Sequence, residues 1–231
     1  MQNSVQRVTG SQDVPAPSVD LPEPLAGYQP GFHARYPALA INLSAAALFC
    51  VAVPLLLYLT WVLQGRSPTC AAFPFTAADA ILLWLAAFVT AALHEWLHGR
   101  ALRLCGYQPS YGIAWRILAA YAGAFGQFQR RNHALAVALT PLLVITAVAL
   151  PLLAAAQHTV VVLAFAALLV NTSGAVGDLY LVWLLLRLPR HALLYDVDPR
   201  HTLVFLPHSR HDPGSGAGLS GQPVAAAIEG R

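Results

Sequence analysis

The chain has 231 residues, of which 57% are apolar and only 10% are charged. About 25% of the residues in a soluble domain are charged, so the composition excludes an ordinary soluble domain and indicates a membrane protein. The formal net charge of +3 is too small to indicate nucleic-acid binding. The three cysteines, Cys50, Cys70 and Cys105, are far apart and predict neither a disulfide framework nor a zinc knuckle.

Two terminal segments differ from the apolar middle of the chain. Residues 1–36 are polar and rich in proline, which predicts a disordered cytoplasmic tail. Residues 207–231 are rich in Gly, Ser, Pro and Ala and predict a second disordered tail. Residues 37–206 between them are expected to form one membrane-embedded domain.

Four apolar segments follow the first tail, and each reaches the roughly 20 residues that a helix needs to cross a bilayer. Backbone polar groups in lipid need internal partners, so the segments are predicted to be helices. The sequence NTSG, residues 171–174, predicts an irregularity within the last of them. The four segments are residues 38–63, 76–104, 133–156 and 159–188.

Two segments outside these helices have strand-like patterns. Residues 107–115 contain strand-forming residues, and residues 192–206 predict two short strands joined by a turn at an Asp-Pro pair. The predicted fold class is therefore an all-α membrane protein with about four transmembrane helices and short cytoplasmic strand-like segments.

The placement of arginine predicts the orientation of the chain. The loop of residues 100–131 is rich in arginine and three more follow the last helix, whereas the turn at 157–158 has none. Cytoplasmic loops carry the excess of basic residues. Both termini are therefore expected on the cytoplasmic side, with the lipid bilayer as the first partner of the protein.

Acidic residues are rare in the apolar part of the chain. Between residues 24 and 195 they are Asp79, Glu95 and Asp178. Asp79 follows Thr76 at the start of the second helix, where it is expected to cap the helix N-terminus. Ionisable residues within a membrane segment are costly and indicate function, which leaves Glu95 and Asp178 as candidates.

Glu95 belongs to the stretch ALHEWLHGRA, which contains the pattern His-Glu-x-x-His. His94 and His98 are one helical turn apart, so they share a face and can hold one zinc ion. Glu95 lies beside them, where it can take a proton from the attacking water. The pattern predicts zinc hydrolase chemistry with Glu95 as the catalytic base.

Two residues compete for the third ligand position that a catalytic zinc site needs. At the rise of a helix, His94 lies about 27 Å along the second helix from Thr76. Asp178 lies about 28 Å along the fourth helix from Thr159, which is the same depth, near the cytoplasmic face. His133, at the start of the third helix, also lies near this depth. Asp178 is favoured because it is an acidic residue within a membrane segment at the matching depth, whereas His133 has an interfacial position beside two arginines.

The sequence HEWLHG on a membrane helix, followed by NTSGAVGDLYLVWLLLRLP and LLYDVDP, resembles the bacterial zincin peptidase family of small four-helix membrane proteins. The resemblance covers about residues 76–200, and the chain is more distantly similar to site-2 proteases. It implies a bacterial inner-membrane protein in which His94, His98 and Asp178 bind zinc and Glu95 is the base. The Asn-Pro-Asp-Gly signature of site-2 proteases is missing, since Asp178 follows Gly177, so the resemblance does not define the substrate.

The expected function is the hydrolysis of peptide bonds in membrane or membrane-proximal proteins. Arg100, His133 and Asn171 are candidates for stabilising the oxyanion, although a hydrogen bond between helices is the favoured role of Asn171. Residues 107–115 are expected to pair with an extended substrate. The alternative is a non-catalytic metal-binding membrane protein, either a zinc transporter or a regulator. The outer halves of the helices lack the ionisable residues of a permeation path, and Glu95 is present, which favours the peptidase.

Overall fold

The computed structural model describes residues 22–65, 76–114 and 119–208. Most of both predicted tails lies outside the described residues, as do residues 66–75 and 115–118.

Helices form most of the described chain. Three of them are long and apolar enough to cross a membrane, and a bent pair can form a fourth span. The bend measures 43° and follows directly after NTSG, which confirms the predicted irregularity. The helices are α1 (Ala38–Leu63), α2 (Ala77–Leu104), α3 (Arg131–Leu152), α4 (His158–Gly174) and α5 (Val176–Leu186), of which α4 and α5 are the bent pair.

Large apolar side chains cover the outside of the helices, whereas small ones fill much of the inside. Trp84 is 79% exposed and Phe88 is 76% exposed on α2. Ala52, Ala149 and Ala164 are buried where α1, α3 and α4 meet. Small residues at helix contacts and large apolar residues on the outer face are typical of a bundle surrounded by lipid.

The described residues also form six strands, so the prediction of an all-α fold is wrong in this respect. Four strands form an antiparallel sheet in the order β1-β6-β5-β4, and the other two form a separate antiparallel pair, β2-β3. β5 and β6 confirm the two strands predicted around the Asp-Pro pair. The strands are β1 (Tyr28–Arg35), β2 (Ser110–Ala114), β3 (Ala119–Gly123), β4 (Phe128–Arg130), β5 (Leu193–Asp198) and β6 (His201–Pro207).

Strand β1 corrects the boundary of the predicted N-terminal tail. Residues 28–35 belong to the segment 1–36 that the composition predicts to be disordered, but they pair with β6 along its whole length. The register shifts between Pro30 and Phe32, where Gly31 is left out of the pairing as in a β-bulge. Pairing with a distant strand therefore orders a segment whose own composition favours disorder.

All six strands lie at one end of the helical bundle. β1 leads into α1, β2 follows α2, β4 leads into α3, and β5 follows α5. Ala134, Leu185, Leu194 and Val204 form a buried apolar cluster that joins α3 and α5 to the four-stranded sheet. The sheet therefore covers the end of the bundle at which α2 and α5 finish.

At the opposite end of the bundle, Asp79 caps α2 and contacts the start of α4. Thr76 and Asp79 form a reciprocal capping box at the start of α2, which confirms the predicted cap. Oδ1 of Asp79 also lies 3.0 Å from Nε2 of His158, the first residue of α4. The starts of α2 and α4 are therefore neighbours, so the two helices run in the same direction.

Asp79→Ala should lower the melting temperature of the detergent-solubilised protein by a few degrees, because it removes both the cap and the contact with α4. Thr76→Ser keeps a capping hydroxyl and should melt within about 1 °C of the wild type. The measurement is thermal unfolding followed by circular dichroism. Equal melting temperatures for Asp79→Ala and the wild type would contradict this role of Asp79.

Candidate metal centre

Three side chains meet at the end of the bundle that the four-stranded sheet covers. Nε2 of His94 lies 3.0 Å from Oδ2 of Asp178, and Nε2 of His98 lies 3.2 Å from Oδ1 of the same carboxylate. The two Nε2 atoms are 3.2 Å apart. All three potential ligand atoms lie within 4.8 Å of one another, which is close enough for one metal ion to bind them all.

The outer nitrogen of each imidazole faces a carbonyl oxygen. Nδ1 of His94 lies 3.0 Å from Oδ1 of Asn171, and Nδ1 of His98 lies 3.0 Å from the backbone oxygen of Val137. A carbonyl oxygen only accepts hydrogen bonds, so each Nδ1 carries the proton and donates it. In its neutral form each ring then presents the lone pair of Nε2 to the centre, and its orientation is fixed from behind.

When both rings are neutral, the atoms that face the centre are all acceptors. Two imidazole lone pairs and a carboxylate cannot form hydrogen bonds with one another unless a proton or another cation lies between them. Two nitrogen ligands and one carboxylate match a catalytic zinc site, in which a fourth position stays open for water. Sites for Mg²⁺ or Ca²⁺ use oxygen ligands, so the donor set fits zinc better.

Helix geometry explains why these residues meet. His94 and His98 are one turn apart on α2, and both are buried. The bend at Ala175 ends α4 and places Asp178 in the first turn of α5. The convergence agrees with the equal depths that the sequence gives for His94 and Asp178.

A cavity of about 450 Å³ adjoins the three side chains. Glu95 lies in its wall, within electrostatic range of His98, His94 and Asp178, and accepts a hydrogen bond from the backbone N–H of Ala122. Glu95 does not belong to the group that could hold the metal. Its carboxylate is therefore available to a water molecule or a substrate in the cavity.

Strand β3 forms the wall of the cavity beside Glu95, with Ala120 to Gly123 lining it. Within the described part of the chain, β3 pairs only with β2, so its second edge has no strand partner. Gly99 lets β2 approach α2 closely, because a Cβ at this position would overlap the hydroxyl of Tyr111. The strand that lines the cavity is thus β3, whereas the predicted substrate-binding segment, residues 107–115, contains β2 and does not line the cavity.

The three supporting candidates from the sequence lie in different places. Nδ1 of His133 is 3.0 Å from the hydroxyl of Tyr107, and His133 lies outside the group of possible metal ligands. The guanidinium of Arg100 lies 5.7 Å above the ring of Trp96 on the exposed face of α2. Asn171 is fully buried and contacts His94, so it bonds between helices as expected and in doing so positions a candidate ligand.

Two parts of the site could not be predicted from the sequence, namely the partner of His98 and the strand β3 in the cavity wall. The backbone carbonyl of Val137 leaves no mark in the sequence, since any residue could supply it. The residues of β3 read AAYAG, and alanine and glycine are depleted in strands. Only the tertiary fold brings these groups to the site.

Comparison with known proteins agrees with this geometry. Searches of curated proteins and of solved structures gave no match. A family model described as "Putative zincin peptidase" matches residues 87–193. The matched region contains His94, Glu95, His98, Asn171 and Asp178. Residues 87–193, a little under half of the chain, are therefore similar to this family.

Proposed function

We propose that this protein is a membrane-embedded zinc metallopeptidase. The observation that carries the proposal is the convergence of His94, His98 and Asp178 beside a cavity in which Glu95 has no ligand role. A regulator that only binds metal would have no use for a carboxylate placed next to the metal ligands. The family match supports a metallopeptidase in general.

The chemistry follows from the positions of these residues. Zinc held by His94, His98 and Asp178 would supply Lewis-acid activation of water and of the scissile carbonyl. Glu95 takes the proton from the water as it attacks the carbonyl carbon, and then delivers that proton to the leaving amine. Asn171 acts indirectly, because it holds the ring of His94 in the orientation that presents Nε2.

We place the site near the cytoplasmic face of a bacterial inner membrane. The arginines of residues 100–131 lie in the last turns of α2 and in the sequence up to the start of α3, and basic residues favour the cytoplasmic side. This orientation puts the four-stranded sheet and both termini in the cytoplasm. The proposed substrates are membrane proteins, cut where their chains leave the bilayer.

The free edge of β3 supports a way of binding these substrates. A peptide must be extended to be cleaved, and an extended peptide can add to an unpaired strand edge through backbone hydrogen bonds. The N–H of Ala122 points towards Glu95. Since successive residues of a strand alternate in direction, the N–H of Ala120 faces the same edge.

Ala120→Pro should lower kcat/KM about tenfold, because it removes one backbone donor from the cavity edge. Edge strands tolerate proline where the lost N–H faces outwards. Ile113→Pro is the matched control, since Ile113 lies opposite Ala120 on β2 and the outer edge of β2 faces away from β3. Cleavage of a membrane-helix substrate is measured for both variants at equal zinc content. A larger loss for Ile113→Pro than for Ala120→Pro would contradict substrate pairing on β3.

The proposed function is tested by removing the metal. Purified protein in detergent should contain about one zinc per chain, and cleavage of a generic membrane-helix substrate should stop after chelation and return when zinc is added. Mg²⁺ should not restore cleavage, because it prefers oxygen ligands. Unchanged cleavage after complete removal of the metal, or no cleavage by the zinc-loaded protein, would contradict the proposal.

A further inference from the structure

The cavity extends from the candidate metal ligands to the four-stranded sheet. Polar side chains of Tyr36, Gln129, Asp196 and Thr202 line this second part. None of them contacts the candidate metal ligands in the described hydrogen bonds. The far wall therefore has a polar group of its own, which the proposed hydrolysis does not use.

Asp196 is the centre of this group. Its Oδ1 accepts a hydrogen bond of 2.6 Å from Thr202, and its Oδ2 accepts one of 2.7 Å from Nε2 of Gln129. Both donors are neutral, and both of these residues are buried. A carboxylate offers about four acceptor positions, so about two remain for a group that enters the cavity.

Among the residues that the structure describes, no cation forms an ion pair with Asp196. Burial raises the pKa of its carboxyl above the usual range, although the hydrogen bonds from Thr202 and Gln129 oppose this effect. The ionised form is thus less favourable in the folded chain than in the unfolded chain. The free energy of unfolding therefore falls as the pH rises above the usual pKa of an aspartate. Ionised Asp196 therefore does not stabilise the fold, and its position in the cavity wall indicates a role in binding.

The other acidic residues of the cavity are already engaged. Glu95 and Asp178 belong to the proposed reaction, and Oδ2 of Asp198 lies 2.6 Å from Nδ1 of His201. Among the described residues that line the cavity, none is an arginine, and the chain contains no lysine. The cavity therefore offers a cation one unpaired carboxylate, that of Asp196.

The proposed position of the site near the cytoplasmic face indicates which cation could bind to Asp196. The segments that leave a bilayer on the cytoplasmic side are enriched in lysine and arginine. A substrate cut near that face brings such a side chain within a few residues of its scissile bond. Planar guanidinium groups match carboxylates especially well, since they donate two parallel hydrogen bonds.

We propose that Asp196 binds a positively charged side chain of the substrate, so that the protein selects basic membrane-proximal segments. The selection of cleaved substrates rests on the proposed peptidase function, whereas binding of the cation does not. Thr202 and Gln129 hold the carboxylate in place, and Asp196 is a specificity residue that takes no part in the reaction itself.

The test compares two labelled peptides, Ala-Leu-Ala-Arg-Leu-Ala and the same sequence with citrulline in place of arginine. Citrulline has nearly the shape of arginine but no charge. Binding to the zinc-loaded full chain is measured by fluorescence anisotropy in detergent, in a Glu95→Gln background that prevents cleavage. The arginine peptide should bind about tenfold more tightly than the citrulline peptide, as expected for a charge-assisted hydrogen bond.

Asp196→Asn should remove this preference, since asparagine keeps the size of the side chain and loses its charge. Asp198→Asn is the matched control and should keep the preference, because Asp198 is engaged by His201. Thermal unfolding confirms that each variant is folded. An equal preference in Asp196→Asn, its loss in Asp198→Asn, or no preference in the protein with Asp196 would each overturn the proposal.

The same peptides separate this proposal from the proposed function when Glu95 is intact. A binding preference without cleavage would support the role of Asp196 and contradict the peptidase. Cleavage at equal rates for the two peptides would support the peptidase and contradict the role of Asp196.

Discussion

Glu95→Gln should abolish peptide cleavage and leave the zinc content of the protein unchanged. Glutamine has the shape of glutamate but cannot take a proton from the attacking water. Loss of a general base lowers kcat by about 100- to 10,000-fold. Zinc should stay because the group of possible ligands consists of His94, His98 and Asp178. The measurements are zinc content by mass spectrometry and cleavage of a membrane-helix substrate by the same preparation.

Asp79→Asn is the matched control for this experiment. It makes the same change from a carboxylate to an amide on the same helix, but at the opposite end of the bundle, where Asp79 caps α2. Its rate of cleavage per bound zinc should equal that of the wild type. Cleavage by Glu95→Gln at the rate of Asp79→Asn would show that Glu95 is not the base. Loss of zinc from Glu95→Gln would show that it is a ligand.

Much of the helical part of this fold can be predicted from the sequence. Hydropathy gives α1 and α2 to within one residue of their observed bounds, since a span in lipid must be apolar and must satisfy its own backbone. The rise of a helix is constant, so distances along two parallel helices can be compared. For this reason the sequence alone predicts that Asp178 and His94 lie at the same depth.

Strands β1 and β3 could not be predicted from the sequence, β1 because it depends on a distant partner and β3 because of its composition. β1 contains Pro30 and Gly31, which weaken any local strand signal, and it is ordered by pairing with β6 from the far end of the domain. β3 is made mostly of alanine and glycine. The residues 107–115 have a stronger strand pattern, which explains why the sequence favours them over β3 as the wall of the site.

The polar group in the far wall of the cavity could not be predicted from the sequence either, because it forms only in the folded sheet. Asp196 follows the last helix and lies in a polar segment, where an acidic residue is ordinary. It becomes unusual only when β5 packs between β4 and β6 and brings Gln129 and Thr202 to its carboxylate. The cost of a charge depends on burial, and burial at this position is a property of the sheet.

Asp178→Ala should lose zinc, and His133→Ala should keep it. The carboxylate of Asp178 lies 3.0 Å and 3.2 Å from the two Nε2 atoms, whereas Nδ1 of His133 is directed to Tyr107. Loss of a group that only supports a ligand weakens zinc binding by about 10- to 100-fold, so the loss of a ligand should exceed this range. Zinc affinity is measured by competition with a chelator, and circular dichroism confirms that both variants are folded.

His133→Ala makes this experiment decisive, because both residues lie at the same end of the bundle. Replacing His133 should disturb Tyr107 and the start of α3 without opening the metal centre. If Asp178→Ala kept its zinc and His133→Ala lost it, the third ligand would be His133. The two histidines of α2 would then bind metal together with α3, and the bend between α4 and α5 would have no part in forming the site.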